Sequence, residues 1–329
     1  MYSIETFDLT KKFGELTAVD KLNIQVNEGE VFGLLGPNGA GKTTTLSMLC
    51  TILKPTSGSA KVNGYDVAKA PTDVRRSIGI VFQEPSLDNR LTGIDNLNIH
   101  AELYGVPKDK ARERIERLVS LVGMEDRLKH LVKTYSGGMR RRLEIARGLI
   151  HHPKVLFLDE PTLGLDPQTR SKVWEYIDDV RKSENITVIL TTHYMEEAES
   201  LCDRVAIIDN GRIVALDTPH ELTSKVGNEV ISLSLADNLR AEEFKKLDFV
   251  SGLSVSGDVR LSVHDGEGSI PKIMKFAVER GIEVTRVDIK KVTLNEVFMH
   301  YVGREIREEE GKDGARQAMK MRLRARGRI

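Results

Sequence analysis

The sequence predicts an α/β fold followed by a smaller α+β domain, and three observations carry that expectation. The first is a glycine-rich stretch, Gly36-Pro37-Asn38-Gly39-Ala40-Gly41-Lys42-Thr43-Thr44, set between an apolar run at 31–35 and a helix-like segment at 44–50. The second is a set of short apolar runs, at 78–82 and 155–158, that read as strands buried on both faces and alternate with helical segments. The third is the order of elements after 227: strand, helix, strand, strand, helix, strand, which is ferredoxin-like.

Residues 2–9 and 21–27 alternate apolar and polar side chains, as half-buried strands do, with a turn at Phe13-Gly14. After the glycine-rich stretch and its helix comes a turn at 54–58, a short strand at 59–62 and a turn at Asn63-Gly64. The strand at 78–82 ends at Gln83. From 92 to about 133 the pattern turns helical, with Leu97, Leu103, Ile115, Leu118, Val119 and Val122 as its apolar face, and reads as a helical insertion. A strand at 155–158, a helix at 167–182, a strand at 187–191, a helix at 195–202 and a strand at 204–209 come next. Asn210-Gly211 then turns the chain into a strand at 213–216, and Pro219 opens one more helix. The second domain is expected at 227–302, with strands at 229–235, 248–255, 259–264 and 282–289 and helices at 239–246, 270–280 and 293–302. From 303 to 329 apolar residues nearly vanish, which predicts a charged, flexible tail.

Composition narrows the function. The 329 residues carry 49 basic and 49 acidic side chains, so no global field draws the chain to nucleic acid or to an anionic membrane. Aromatics make up only 5%, which argues against a stacking platform for single-stranded nucleic acid. The two cysteines, Cys50 and Cys202, fall among apolar residues and read as small core side chains, which fits a reducing compartment. The first residues, Met1-Tyr2-Ser3-Ile4-Glu5, lack a basic-then-apolar signal segment, and no apolar run is long enough to span a bilayer. Work at a membrane would require a partner that spans it.

The glycine-rich stretch has the spacing of a phosphate-binding P-loop in the strand-before, helix-after context that the motif needs. Gly36, Gly39 and Gly41 let the backbone curl, so that their N–H groups and those of Asn38, Ala40 and Thr44 line a polyphosphate at a helix N-terminus. Lys42 supplies a mobile charge for the outer phosphates, and the Thr43 hydroxyl suits Mg²⁺. The strand at 155–158 ends in Asp159-Glu160, where a P-loop site needs an acid that holds Mg²⁺ through water, and beside it a base.

Further motifs bring a resemblance. Tyr135-Ser136-Gly137-Gly138-Met139 is similar to the signature loop of ATP-binding cassette (ABC) proteins and lies between the insertion and the Asp159-Glu160 strand, where that family carries it. Gln83 resembles the family's Q-loop, Leu163-Gly164-Leu165-Asp166 its D-loop, and His193 its switch histidine, while Phe13 stands where the family keeps an aromatic against adenine. Taken singly, His193 reads as well as a core histidine, Gln83 as a strand cap and Phe13 as core packing. Ser136 also reads as a helix N-cap, which is compatible with phosphate binding. The resemblance covers 1–226. The run Tyr135–Leu143 and Leu294-Asn295-Glu296-Val297-Phe298 are similar to the daunorubicin-resistance branch of exporter ATPases. Tyr135 and Met139 depart from the wider family's Leu and Gln, and Met139 has no amide to donate.

The resemblance implies a RecA-like core with an antiparallel β subdomain and helical insertion. It also implies a nucleotide-binding subunit at the cytoplasmic face of the membrane, working with an integral membrane permease. Two copies would close head-to-tail on ATP. Phe13 would face adenine. Lys42 and the P-loop would hold the phosphates, with Thr43, Gln83 and Asp159 on Mg²⁺. Glu160 would act as base and His193 as γ-phosphate contact, with Ser136, Gly137 and Gly138 of the facing copy on the nucleotide and Asp166 as cross-dimer link. The rival readings are a soluble ABC-type ATPase and a regulatory nucleotide-binding module. The fifty or so residues between Gln83 and Ser136 are too few for the long coiled coils of DNA-repair cassettes, and each motif occurs once, unlike fused translation cassettes.

Overall fold

The computed structural model describes residues 1–226 and 229–303. The chain divides into two compact units, Met1–Ile213 and Val214–Ile329, so the helix at 219–226 groups with the C-terminal unit. The tail expected from 303 onward lies, beyond Gly303, outside the described residues.

The first unit opens with β1 (Tyr2–Phe13), β2 (Leu16–Leu22) and β3 (Gln25–Asn27). The single strand expected at 21–27 is broken because Asn23 bridges to Asp8: the Asp8 amide donates to Asn23 Oδ1 and Asn23 Nδ2 donates to Asp8 Oδ1, each at 2.9 Å. Asp8 and Lys21 take positive φ there, and this bond between separate segments is one that period-two patterning does not register. β4 (Val31–Leu35) is wholly buried, and α1 (Lys42–Leu49) begins at Lys42, two residues before the expected start, because Gly41 at φ 106 serves as its N-cap. β5 (Ser57–Val62) and β6 (Tyr65–Asp66) come next, then α2 (Pro71–Ser77), a short helix the periodicity missed although Pro71 is its N-terminal signal. β7 (Ile78–Val81) leads to the insertion.

The insertion contains α3 (Gly93–Leu103), α4 (Lys108–Leu121) and two 3₁₀ turns, and a bridge between Thr92 and Leu131 closes it. Thr92 and Asp95 form a capping box at its first helix. Leu97, Ile115, Leu118, Val119 and Val122 are buried as expected, but Leu103 is 78% exposed; Ala101 takes the inward position on that turn. Beyond the insertion lie α5 (Gly137–Leu149), β8 (Val155–Asp159), α6 (Pro167–Glu184), β9 (Thr187–Thr192), α7 (Met195–Leu201), β10 (Arg204–Asp209) and β11 (Arg212–Asp217). Cys50 and Cys202 are both buried free thiols.

These strands form two sheets. The antiparallel one runs β2-β1-β5-β6 with β3 against β1; the other runs β11-β10-β4-β9-β8-β7, with parallel pairing from β10 to β7. This order sets β4, β9 and β8 side by side, so the loops at their C-terminal ends converge at one edge of the sheet.

In the second unit α8 (Pro219–Val226) precedes β12 (Glu229–Leu235), a 3₁₀ helix (Asn238–Lys246), β13 (Val250–Ser256), β14 (Asp258–Val263), α9 (Gly266–Arg280), β15 (Val284–Lys291) and α10 (Leu294–Val302). The sheet order β13-β14-β12-β15, antiparallel throughout, is the ferredoxin-like arrangement. The helix expected at 239–246 is 3₁₀ rather than α. Ala241 and Phe244, three positions apart, both face the core, as a three-residue turn places them, and Leu247 just beyond the helix packs against it. α9 starts four residues earlier than expected, because Asp265 accepts from the Gly268 amide as N-cap.

Candidate functional site

The loop between β4 and α1 is shaped by close approaches. A Cβ on Gly36 would lie 2.3 Å from the Ile208 carbonyl oxygen, and one on Gly41 would lie 2.5 Å from that of Ala18. Gly41 also holds a positive φ, which a side chain resists. Lys42 is folded back into this loop: its ammonium donates to the carbonyls of Gly36 at 2.8 Å and Pro37 at 3.0 Å and lies 3.5 Å from Glu160 Oε1. Burial pushes the Lys42 pKa below its ordinary value, with the Glu160 carboxylate opposing that shift.

Three strand ends meet this loop. At the tip of β8, Asp159 accepts from the Thr43 hydroxyl at 3.2 Å and from Thr191 of β9. Burial raises its carboxyl above the usual range, against those two hydrogen bonds. Glu160, at φ 46, turns its carboxylate the other way. One oxygen meets His193 Nδ1 at 3.2 Å, and the other accepts from Gln83 Nε2 at 3.4 Å. Burial alone would raise the Glu160 carboxyl, but His193 and Lys42 outweigh it and hold it below the ordinary value. Lys42, Thr43, Gln83, Asp159, Glu160 and His193 therefore form one group, although the contacting members Thr43 and Asp159 are 116 residues apart.

A second group gathers around the N-terminus of α5. Ser136 caps that helix, accepting from the Met139 amide at 3.3 Å, and both Ser136 and Gly137 are exposed. Gly138 has no room for a side chain, since a Cβ would lie 2.4 Å from Thr169 Cγ2, and one on Gly137 would meet Leu165 at 3.0 Å. Asp166 caps α6 by accepting from the Thr169 amide and hydroxyl, which hold its carboxyl below the usual range. Tyr135, in place of a leucine, is buried and donates its hydroxyl to the Arg127 carbonyl at 2.6 Å, so it anchors the insertion to the loop. Phe13, at the end of β1, is 47% exposed with the Lys11 ammonium 5.1 Å from its ring centre, which removes the core-packing alternative.

Sequence reasoning missed Arg141, Glu144 and Glu197. Arg141 is one of three consecutive arginines, and it lies inward in the Gly138, Arg141, Ile145, Leu149 stripe of α5. That helical spacing was the available signal. Glu197, wholly buried, accepts from the Thr162 hydroxyl at 2.8 Å and Trp174 Nε1 at 2.9 Å. A carboxylate on a charged-looking helix gave no sign of that burial.

A phosphate loop, a carboxylate pair on the next strand but one, and a Ser-Gly-Gly helix start beyond a helical insertion are found together in the ATP-binding cassettes, and this chain is an ATPase of that class. Residues 19–163 match the family described as "ABC transporter", and residues 218–302 match the "ATP-binding protein DrrA1-3-like, C-terminal domain". Over 307 residues the chain is 41% identical to the daunorubicin/doxorubicin resistance ATP-binding protein DrrA of Streptomyces peucetius, covering 92% of each. It is 34% identical over 311 residues to the linearmycin resistance ATP-binding protein LnrL of Bacillus subtilis, covering 93% of this chain and 100% of that one. A dimeric ATP-binding cassette, solved in a post-hydrolysis state with ADP and Pi, superposes with a TM-score of 0.59 and 26% identity, over 65% of this chain and 98% of that one. The chain belongs to the ABC transporter family, within its DrrA-like group, as the ATP-binding subunit of an exporter-type transporter. No helix among the described residues is long and apolar enough to cross a membrane.

Proposed function

We propose that two copies of this chain close head-to-tail on two Mg·ATP and thereby drive an integral membrane permease that exports antibiotics. The observation that carries this reading is the convergence of Lys42, Gln83, Glu160 and His193 in one group, with the exposed Ser136-Gly137 helix start in another. The first group can grip a triphosphate; the second offers a hydroxyl, two amides and the dipole of a thirteen-residue helix to an anion brought from outside.

In this mechanism Lys42 leaves the Gly36 and Pro37 carbonyls for the phosphates, and the loop amides take the rest of the charge. Phe13 stacks on adenine. The Thr43 hydroxyl, the Asp159 carboxylate and the Gln83 amide oxygen form a hard, all-oxygen donor set, which fits Mg²⁺. Bound there, the ion polarises phosphoryl oxygens as a Lewis acid. Glu160, kept ionised by His193 and Lys42, takes the proton of the attacking water as its oxygen bonds to the γ-phosphorus and ADP leaves. His193 orients Glu160 and bonds the γ-phosphate. Ser136, Gly137 and Gly138 of the facing copy complete the site, and Asp166 relays between the two. Closure then depends on ATP, because these contacts exist only in the closed state.

The exposed apolar side chains Phe82, beside Gln83, and Ile99, Leu103 and Tyr104 at the insertion support a permease-docking surface there, which would place the chain on the cytoplasmic face of the membrane. The cargo class is taken from the antibiotics in the relatives' names.

Mixing Ser136→Arg with Lys42→Ala subunits tests the sandwich. Each variant alone should be inactive. In the mixed dimer the Ser136→Arg subunit's intact P-loop faces the other subunit's intact signature loop, so ATPase activity should return to roughly half the wild-type level, one site of two. No activity despite demonstrated heterodimers, together with no ATP-dependent crosslink between the two loops, refutes it.

A further inference from the structure

One face of α5 grips the loop that carries Gln83. Arg141 donates from one guanidinium nitrogen to the Phe82 carbonyl at 2.7 Å, and from another to the Gln83 carbonyl at 3.2 Å and, more distantly, to the Glu160 carbonyl at 3.5 Å. Three residues on, Glu144 pairs with Arg141 at 3.3 Å and accepts the Ser86 amide at 2.7 Å. One turn further, Arg147 donates to the Ser86 carbonyl at 2.8 Å and to its hydroxyl. Arg141 and Glu144 are 6% and 1% exposed. A buried guanidinium is retained only where it is paired and hydrogen-bonded, and here its partners are the Glu144 carboxylate and the carbonyls of Phe82, Gln83 and Glu160.

The geometry points to Arg141, backed by Glu144, as a positioning residue for ATP hydrolysis: from the helix that begins at Ser136 it holds the Gln83 and Glu160 backbone in the arrangement that places water for attack. This rests on the proposed roles of Glu160 as base and Gln83 as metal ligand. A planar fork suits the task, since one guanidinium spans carbonyls of two separate loops, which a lysine ammonium cannot do with the same rigidity. The same device makes the signature helix and the hydrolytic residues of one chain move as a unit. A shift of Ser136 on contact with the facing nucleotide is then felt at Glu160 of its own site.

The test uses the purified full-length chain, with turnover followed by phosphate release and ATP affinity by equilibrium titration. Arg141→Ala should lower kcat roughly 10–100-fold, the effect of displacing a reacting group by about an ångström, with ATP affinity within threefold of wild type. Arg141→Lys should lie between the two, at least threefold below wild type. Arg142→Ala is the structural comparison: that side chain donates to the Val122 and Gly123 carbonyls from another face of α5, and its loss should leave kcat within threefold. The inference is overturned if Arg141→Ala turns over within threefold of wild type, if affinity falls in step with kcat, or if Arg142→Ala loses as much. Should Arg141→Ala not fold, Arg141→Lys decides by the same threefold criterion. Glu160→Gln, run alongside, separates the two levels. An inactive Glu160→Gln beside an active Arg141→Ala sinks the positioning role alone. A fully active Glu160→Gln sinks the base assignment and the positioning role with it.

Discussion

Replacing Glu160 by glutamine keeps the shape of the side chain and removes its charge. In the structure that charge faces Lys42 at 3.5 Å and His193 at 3.2 Å, in a pocket where Glu160 is 7% exposed. Loss of a general base costs about 10²–10⁴ in rate, or roughly 3–5 kcal/mol of activation free energy at 1.36 kcal/mol per decade. Nucleotide binding should respond in the opposite sense. In the proposed mechanism Glu160 competes with the triphosphate for Lys42 and its carboxylate would repel the γ-phosphate, so ATP should bind Glu160→Gln as tightly as wild type or more tightly. The nucleotide-free protein should be less stable by about 1–3 kcal/mol, because the buried Lys42 ammonium keeps its two carbonyl partners but loses the Glu160 counter-charge. The assay is therefore threefold: phosphate release, equilibrium ATP affinity, and thermal melting with and without Mg·ATP. The expected pattern is turnover down at least a hundredfold, affinity kept or raised, a lower melting temperature without nucleotide and a larger rise on adding ATP, with ATP-bound dimers accumulating on gel filtration. Turnover within threefold of wild type would refute the base assignment. Loss of ATP affinity would refute the proposed competition for Lys42.

Phe13→Ala should weaken ATP binding by about 1–3 kcal/mol, the value of stacking a base on an aromatic ring, while the melting temperature stays put because the ring is half-exposed; a changed stability with unchanged affinity would remove Phe13 from the adenine site. Asp159→Asn should abolish turnover yet stabilise the nucleotide-free chain by roughly 0.5–2 kcal/mol. Its raised folded pKa means that ionised Asp159 destabilises the fold at neutral pH, and that this cost fades as pH falls and the carboxyl is protonated. Thermal melting at pH 7.5 and again near pH 4 checks the sign, since the advantage of the variant should shrink in acid. Glu160 has the opposite sign: its stabilising share is complete above the ordinary glutamate value of 4.5 and is lost only as pH falls through its lower folded value.

How much of the fold and site was legible in the chain depends on the range of the forces involved. Local pattern was enough for the P-loop, the acid pair at a strand tip, the Ser136 helix start and the ferredoxin-like order of the second unit. Each of these is set within a few residues, by glycine backbone freedom, by capping side chains or by apolar periodicity. Which strand lies beside which is instead a matter of long-range packing. Placing β9 between β4 and β8 brings His193 and Glu160 to Lys42, and no local pattern encodes that neighbourhood. Packing at a distance also broke the strand at Asn23 through a bond to Asp8, fifteen residues away, and drew Asn238–Lys246 into a 3₁₀ helix against its own sheet. Among Arg140, Arg141 and Arg142 it turned one guanidinium onto the carbonyls of Phe82 and Gln83, 59 and 58 residues back. A residue's identity states what its side chain can bond to, but the direction in which it is buried comes from packing between distant segments, which only the folded chain defines.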